Sequence, residues 1–574
     1  MKPLYHPLSF QIYQYYLYRL RQAESADKPE WRPRMKQKQP AQEQDLPACV
    51  QYLIIGTGPA GWAAYQSILK HDHTAKVFFI TKEDVIPYKR YPMSKYMWWN
   101  DQPPAMHSLA YNENGKALSM YHMECKKYMD PVKFFRKPKG PAVSLAVGWC
   151  VLRIDPDEHI AYIKTSCGER PMYYERCLLA VGSKPKTLKM LKTAPRAVRD
   201  RVTTFRTLRD LDLSYRRVRE AKHITIIGGG PLAAELSWHI SRIGFEPVKI
   251  THLMKDAGML ASIVPAYLAE WASEKLKCQN VVVMPNTQVY DFYVAEAGYC
   301  PPPLDPAGTG YGAGGAGDSN KRLQMTLSDG STLLTDYAFL CIGTTPRDEI
   351  APPSDLELDE INGGFLANTE LEVRKHLYVA GDAVSVWCQW KNERMRFEHL
   401  TNAIETGTLA GENMAGFWHP YNQEPHFFFQ LGDVLDVEVS PEIVIGEVGA
   451  CMPTIALFKP CEETELAIAN EKDRDEYGKP CYKESVEYKN RYKRGILFYL
   501  RDDRVVGIAF WNMPETVDDR KDVVTEMLRA RPSFKDVNLL ADLLGFFTLE
   551  CDIARKEEEK KSKDEVCIKK YASR

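Results

Sequence analysis

Two glycine turns, each entered from an apolar run and each leading into a helix, constrain this chain more than any other feature. Gln51–Ile55 (QYLII) runs directly into Gly56-Thr57-Gly58-Pro59-Ala60-Gly61, and a helical stretch, Trp62–Lys70, and a second apolar run, Lys76–Ile80, follow. Strand, glycine turn, helix and strand within about thirty residues is the context in which G-x-G-x-x-G marks a dinucleotide site rather than a plain tight turn. Gly56 makes the turn, Gly58 lets pyrophosphate approach the backbone, and Gly61 lets the helix pack on the strand with its N-terminal amides facing the phosphates. His223–Ile227 (HITII) leads in the same way into Gly228-Gly229-Gly230-Pro231-Leu232-Ala233-Ala234-Glu235, with a further strand at Val248–Leu253. Ala233 replaces the third glycine, which the fingerprint tolerates because the packing contact needs only a small side chain. Two such units in one chain imply two dinucleotides.

The second strand of each unit is expected to end near an acid that binds ribose hydroxyls. After the first unit the chain reads Thr81-Lys82-Glu83-Asp84. The simplest register puts Lys82 at the acid position, so Glu83 is the candidate ribose ligand; the alternative is that Glu83 and Asp84 cap a loop. After the second unit Asp256 is the candidate for the ribose of NAD, while Lys255 beside it keeps a 2′-phosphate, and so NADP, open. Glu235 either faces whatever lies above the phosphate loop or belongs to a solvated helix face. Cys177–Gly182 (CLLAVG) and Phe339–Gly343 (FLCIG) are apolar strands ending in glycine, suited to carry the chain from one nucleotide domain to the other. A late strand from His376 runs into Gly381-Asp382-Ala383, where the Asp382 carboxylate can accept from the ribityl hydroxyls of FAD or serve as a plain N-cap.

At 574 residues the chain exceeds one hydrophobic core, so two or three domains are expected. A formal net charge of −1 gives no global electrostatic case for nucleic acid or acidic lipid. The 14 cysteines include no C-x-x-C pair and no zinc spacing, which suits mostly buried, reduced thiols. No apolar run is long enough for a membrane-spanning helix. The first 23 residues carry Lys2, Arg19 and Arg21 and no acid. That pattern suits a mitochondrial presequence or, equally, a peripheral extension; residues 24–49 read as a linker.

The order of these motifs resembles the two-dinucleotide-binding flavoprotein reductases, and within them the apoptosis-inducing factor family. The resemblance is carried by Pro87–Lys95 (PYKRYPMSK), Thr225–Glu235, Pro265–Leu268, Glu398-His399, Leu409–Met414 and Gly495–Asp502 (GILFYLRD). It implies an α/β fold: two Rossmann-like nucleotide-binding domains of the glutathione-reductase type and a C-terminal α+β domain. The corresponding boundaries are an extension at 1–49, an FAD-binding domain at 50–183 and 337–425, and an NAD(P)H-binding domain at 184–336 with a Gly/Pro-rich insertion at 298–318. A C-terminal interface domain at 426–550 and a charged tail at 551–574 complete it.

Carried over position by position, the resemblance makes Arg90, Lys95 and Arg206 flavin contacts and pairs Lys95 with Glu235 beside the isoalloxazine. It makes Asp382 the ribityl carboxylate, and sets Glu398 and His399 by the pyrimidine side of the flavin and the nicotinamide pocket. Phe428 stands where the family has a tryptophan near the nicotinamide, Leu400 where a second histidine would follow, and the run Glu462–Tyr492 differs from the family. The cofactors implied are FAD and NAD(H), with hydride passing from NADH to flavin N5. Disulfide-reductase members need a cysteine pair just after the first unit; Tyr91–Asp101 has none, so electrons are expected to leave directly to an external acceptor. A redox-switched interaction protein is the rival reading, with an NADH-promoted homodimer and a mitochondrial import or biogenesis partner. A DNA-binding effector resting on Lys489–Arg494 and Arg555–Lys570 is the third. The resemblance implies a mitochondrial location in the intermembrane space, with nuclear relocation, the cytosol being the alternative.

Overall fold

The computed structural model describes residues 45–98, 109–113, 116–137, 140–242, 248–294, 322–388, 392–431, 442–458, 492, 494–513 and 521–544. The presequence reading of the first 23 residues, the insertion 298–318, the tail 551–574 and, apart from residues 492 and 494, the runs 462–492 and 489–494 lie outside them.

The first glycine unit folds as expected. Strand Cys49–Ile55 leads into helix Pro59–His71 and strand Lys76–Thr81. The central strands pair in parallel, in the order Leu377–Val379, Gly168–Leu179, Cys49–Ile55, Lys76–Thr81, Ala142–Val147. Phe78, Phe79 and Ile80 are almost wholly buried, as a parallel sheet covered on both faces requires. The glycine-led helix packs backbone to backbone against the late helix Leu400–Met414. A Cβ on Gly407 would lie 2.3 Å from the Ala60 carbonyl oxygen, and one on Gly411 would lie 2.5 Å from that of Ala64. Only glycine permits this approach, which draws the Gly381–Ala383 turn over the start of the first helix.

The second unit builds its own all-parallel sheet, in the order Val202–Thr204, Tyr337–Leu340, His223–Ile227, Lys249–Leu253, Val281–Met284. Its glycine-led helix is Pro231–Ser241. The chain crosses between the two sheets where Ser183–Pro185 pairs antiparallel with Thr344–Pro346, just beyond the two glycine-ended strands. A third sheet is antiparallel, His426–Phe429, Glu442–Gly446, Arg504–Trp511, Gly495–Arg501, Thr454–Phe458. Helices Lys521–Ala530 and Val537–Leu543 close it over a core of Phe498, Ile508, Phe510, Val524, Leu528 and Leu540. The fold is thus α/β with two Rossmann-like units and a C-terminal α+β part. Among the described residues no helix is long and apolar enough to cross a membrane.

Candidate functional site

The first glycine turn is a backbone requirement before it is a binding site. Gly56 has φ +113°, and a Cβ there would lie 2.2 Å from the Ala180 carbonyl oxygen. A Cβ on Gly61 would lie 2.3 Å from the Gly56 carbonyl oxygen, so the third glycine is needed for helix and turn to touch. Gly58 is different: the nearest atom to its Cβ position is Arg90 Nε at 3.8 Å, which leaves the turn open for a ligand. It opens on a cleft of about 520 Å³ lined by Gly56, Gly58, Lys82, Glu83, Arg90, Arg206 and Asp382, a volume in the ordinary range for cofactor sites.

Within this cleft the charges are organised. Glu83 accepts from Tyr88 Oη at 2.7 Å and forms an ion pair with Arg90. Arg90 Nη1 also donates to the Arg206 carbonyl at 2.7 Å. Asp382 is buried and accepts from Ser183 Oγ at 2.6 Å and from Arg206 Nη2. Thr57 Oγ1 also borders the cleft, buried and without a protein hydrogen-bond partner. A buried hydroxyl of this kind is satisfied by a ligand or water, and together with the bare Gly58 it fits a dinucleotide's phosphates.

The second turn repeats the geometry. Gly228 has φ +141°, and a Cβ there would lie 2.1 Å from the Cys341 carbonyl oxygen; Gly230 meets nothing within 4 Å. Ala233 is fully buried. Asp256 stands at the turn, its Oδ2 lying 3.2 Å from where a Cβ on Gly229 would be.

Between the two turns lies a buried ion pair. Lys95 Nζ is 2.8 Å from Glu235, which also accepts from Ser94 Oγ at 2.6 Å and from the Gln430 backbone N–H at 3.1 Å. The two charged side chains are 7% and 6% exposed. Glu235 is therefore not on a solvated helix face. The Lys95 ammonium sits 5.8 Å from the Phe428 ring centroid. His399 caps the late helix, its Nδ1 accepting from the Thr401 N–H, and its Nε2–H donates to the Phe428 carbonyl at 2.9 Å. Burial, opposed by that bond and helped by nearby Lys95, pushes its imidazole down to about 4, so it is neutral at physiological pH. Glu398 pairs with Arg396, whose Nη1 also reaches the Asp382 carbonyl at 3.1 Å. Sequence reasoning missed Ser94, Ser183, Arg396, Gln430 and His252; Ser94, Ser183 and Gln430 act on the expected residues from more than 100 residues away, whereas Arg396 stands two residues from Glu398. His252 Nε2 lies 2.6 Å from the Gly228 carbonyl oxygen.

Residues 50–407 match the pyridine nucleotide-disulphide oxidoreductase family, and residues 410–526 match the C-terminal region of mitochondrion-associated apoptosis-inducing factor. A Drosophila melanogaster protein named as a mitochondrial apoptosis-inducing factor 1 is 30% identical over 88% of this chain, which spans 66% of that relative's length. The mitochondrial apoptosis-inducing factor 1 of Dictyostelium discoideum is 27% identical over 89% of this chain and 84% of its own. A ferredoxin reductase from Rhodopseudomonas palustris shares the fold with a TM-score of 0.58 at 18% identity, over 80% of this chain and 91% of that one. The chain therefore belongs to the pyridine nucleotide-disulphide oxidoreductase family, the FAD- and NAD(H)-binding flavoprotein oxidoreductases, and within it to the apoptosis-inducing factor branch.

Proposed function

We propose that the protein oxidises NADH through bound FAD and passes the electrons to an external acceptor. The observation that carries this is the Lys95–Glu235 pair. Lys95 follows the first glycine unit and Glu235 rides the helix led by the second, so their 2.8 Å contact brings the two nucleotide sites together at one point. FAD held by this cleft would supply the redox centre, taking up a hydride equivalent from NADH and storing its two electrons for an acceptor.

The chain's own residues divide the work around it. Gly56, Gly58 and Gly61 admit the flavin nucleotide's pyrophosphate, Glu83 serves its ribose, and Asp382, held by Arg206 and Ser183, accepts from its ribityl hydroxyls. Arg90 and Lys95 place positive charge at the flavin, and Glu235 holds Lys95 in position. Gly228, Gly230 and Ala233 form the nicotinamide nucleotide's turn and Asp256 serves its ribose, which favours NADH over NADPH. Phe428 offers a ring face for stacking, and neutral His399 and Glu398 border the pocket.

The test is an anaerobic titration of the purified protein with NADH, followed in the flavin's visible band. Bleaching of the band supports the reading; a protein without flavin absorbance, or a band that NADH leaves unchanged, overturns it.

A second reading is favoured by one contact. Gln430 follows the first strand of the C-terminal sheet, and its N–H binds Glu235, so that sheet is tied to the residue at the nicotinamide site. A redox-switched interaction protein with slow turnover would use such a link. Slow NADH oxidation with long-lived reduced flavin, and an NADH-dependent change in size-exclusion volume, would favour the switch. The mitochondrial site, a biogenesis partner, nuclear relocation with DNA binding and a cell-death role are carried to this chain by its resemblance to that family, two of whose members are named as mitochondrial. Fractionation and a salt-dependent shift assay test them.

A further inference from the structure

The two glycine turns are shaped alike but held differently. In each, the first glycine's N–H donates to the end of the second strand: Gly56 to the Ile80 carbonyl at 2.8 Å, Gly228 to the Leu253 carbonyl at 2.9 Å. One residue earlier on that strand stands Phe79 in the first unit and His252 in the second. At matching places on the two helices stand Tyr65 and Ser237. Tyr65 and Phe79 meet edge to face, ring centroids 5.5 Å apart, in an apolar contact. His252 and Ser237 make a polar one, with Ser237 Oγ 2.9 Å from Nδ1 and the Gly228 carbonyl oxygen 2.6 Å from Nε2.

Proton positions follow from chemistry. The ring is wholly buried, and burial pushes it down to about 4, so it is neutral. A carbonyl oxygen only accepts, so Nε2 carries the proton; Nδ1 is then the acceptor and Ser237 the donor. The hydroxyl thereby selects the tautomer that can hold the carbonyl.

The difference tracks the third position of the fingerprint. In the first unit the Gly56 carbonyl oxygen occupies the space that a Cβ on residue 61 would need. The second unit has Ala233 there, fully buried. A buried carbonyl left unpaired is costly, and the Gly228 carbonyl is paired with the His252 ring.

We propose that His252, set by Ser237, is the positioning residue of the second nucleotide turn. It anchors the Gly228 carbonyl and so fixes the Gly229 N–H for the pyrophosphate of the nicotinamide dinucleotide. The link is the planar trans peptide, in which the carbonyl and the following N–H point in opposite directions. The inference rests on the reading of this turn as the NAD(H) site.

The experiment is calorimetric titration of the oxidised, FAD-loaded protein with ADP-ribose, which has the pyrophosphate and lacks the nicotinamide. His252→Leu is expected to weaken binding roughly tenfold, the scale of one buried hydrogen bond lost. His252→Gln, whose amide can donate in place of Nε2–H, is expected to recover most of that affinity. Ser237→Ala, which frees the tautomer, should fall between. FAD content should stay at the wild-type level throughout, because the first turn does not use this contact. A purely structural role would lower melting temperature and flavin content together, with no rescue by glutamine. Unchanged ADP-ribose affinity in His252→Leu overturns the inference alone. If that variant does not fold, unchanged affinity in Ser237→Ala does so. Failure of the wild-type protein to bind ADP-ribose overturns the NAD(H) reading of the turn and the inference with it.

Discussion

Replacing Lys95 by methionine removes the cation from beside Glu235 while keeping most of the side chain's volume. Glu235 is buried, and its remaining donors, Ser94 Oγ and the Gln430 N–H, reduce the cost of its charge without neutralising it. Breaking a buried pair in this way costs about 3–5 kcal/mol. At roughly 2–4 °C per kcal/mol, Lys95→Met should melt on the order of 10 °C below wild type. The double variant Lys95→Met/Glu235→Leu, with no charge left to strand, should recover much of the loss. Circular dichroism melts of the FAD-loaded proteins measure this. A single variant that melts with wild type, or a double variant as unstable as the single, would show that the pair is not the buried, mutually neutralising contact described.

Gly56→Ala should abolish flavin retention, because the added Cβ would lie 2.2 Å from the Ala180 carbonyl oxygen at a φ of +113°; the flavin-to-protein absorbance ratio reads it. On the proposed reading Asp382→Ala removes the acceptor for the ribityl hydroxyls and takes an ion-pair partner from Arg206, so FAD should dissociate roughly tenfold or more easily in an equilibrium dialysis series. Acid should destabilise the second unit through His252. Its folded value, about 4, lies below the ordinary 6.5, so stability is complete above pH 6.5 and lost as pH falls, by about 3 kcal/mol by pH 4. Denaturant titrations at pH 7, 5.5 and 4.5 should therefore show a shallower acid loss in His252→Gln than in wild type.

What the sequence revealed and what it hid separate along a physical line. A backbone that must adopt positive φ or touch another backbone leaves a glycine in the sequence, so Gly56 and Gly228 are legible without any structure. Asp382 is legible because it follows a strand and a glycine turn. Contacts made across the fold leave no local trace. Gln430 reaches Glu235 by its backbone N–H, 195 residues away, and a backbone donor imposes no residue type. Ser183 reaches Asp382 from 199 residues away by a hydroxyl that no motif marks. Glu83 falls between: the register made it a substitute for the missing acid at Lys82, and the structure sets both at the cleft with Glu83 paired to Arg90. His252 had a sequence signal that went unused. A histidine within the buried run Ile250–Leu253 needs polar partners, and the Gly228 carbonyl and Ser237 hydroxyl are those partners.

The family is named for disulphide chemistry, and none of the described cysteines is placed for it. Each is a free thiol. Cys177 and Cys341 are sealed in the sheets, where burial holds both thiols protonated, Cys341 pushed up to about 12. Cys341 lies directly against the second glycine turn but contributes its carbonyl oxygen there. Cys150 borders the FAD cleft without a second thiol beside it, its Sγ 3.5 Å from the Val151 carbonyl. The segment Tyr91–Asp101, where disulfide reductases carry their pair, contains none. A protonated, buried thiol is a poor nucleophile, and a single one cannot close the two-electron cycle of a dithiol. On the proposed reading, electrons from NADH leave the flavin without using these thiols. Alkylation of the FAD-loaded protein with iodoacetamide should accordingly leave the NADH:ferricyanide rate unchanged while exposed Cys49, Cys167, Cys278 and Cys451 are modified. A rate that falls in step with the labelling of one cysteine, mapped by peptide mass, would refute the direct route and assign that thiol to the electron path.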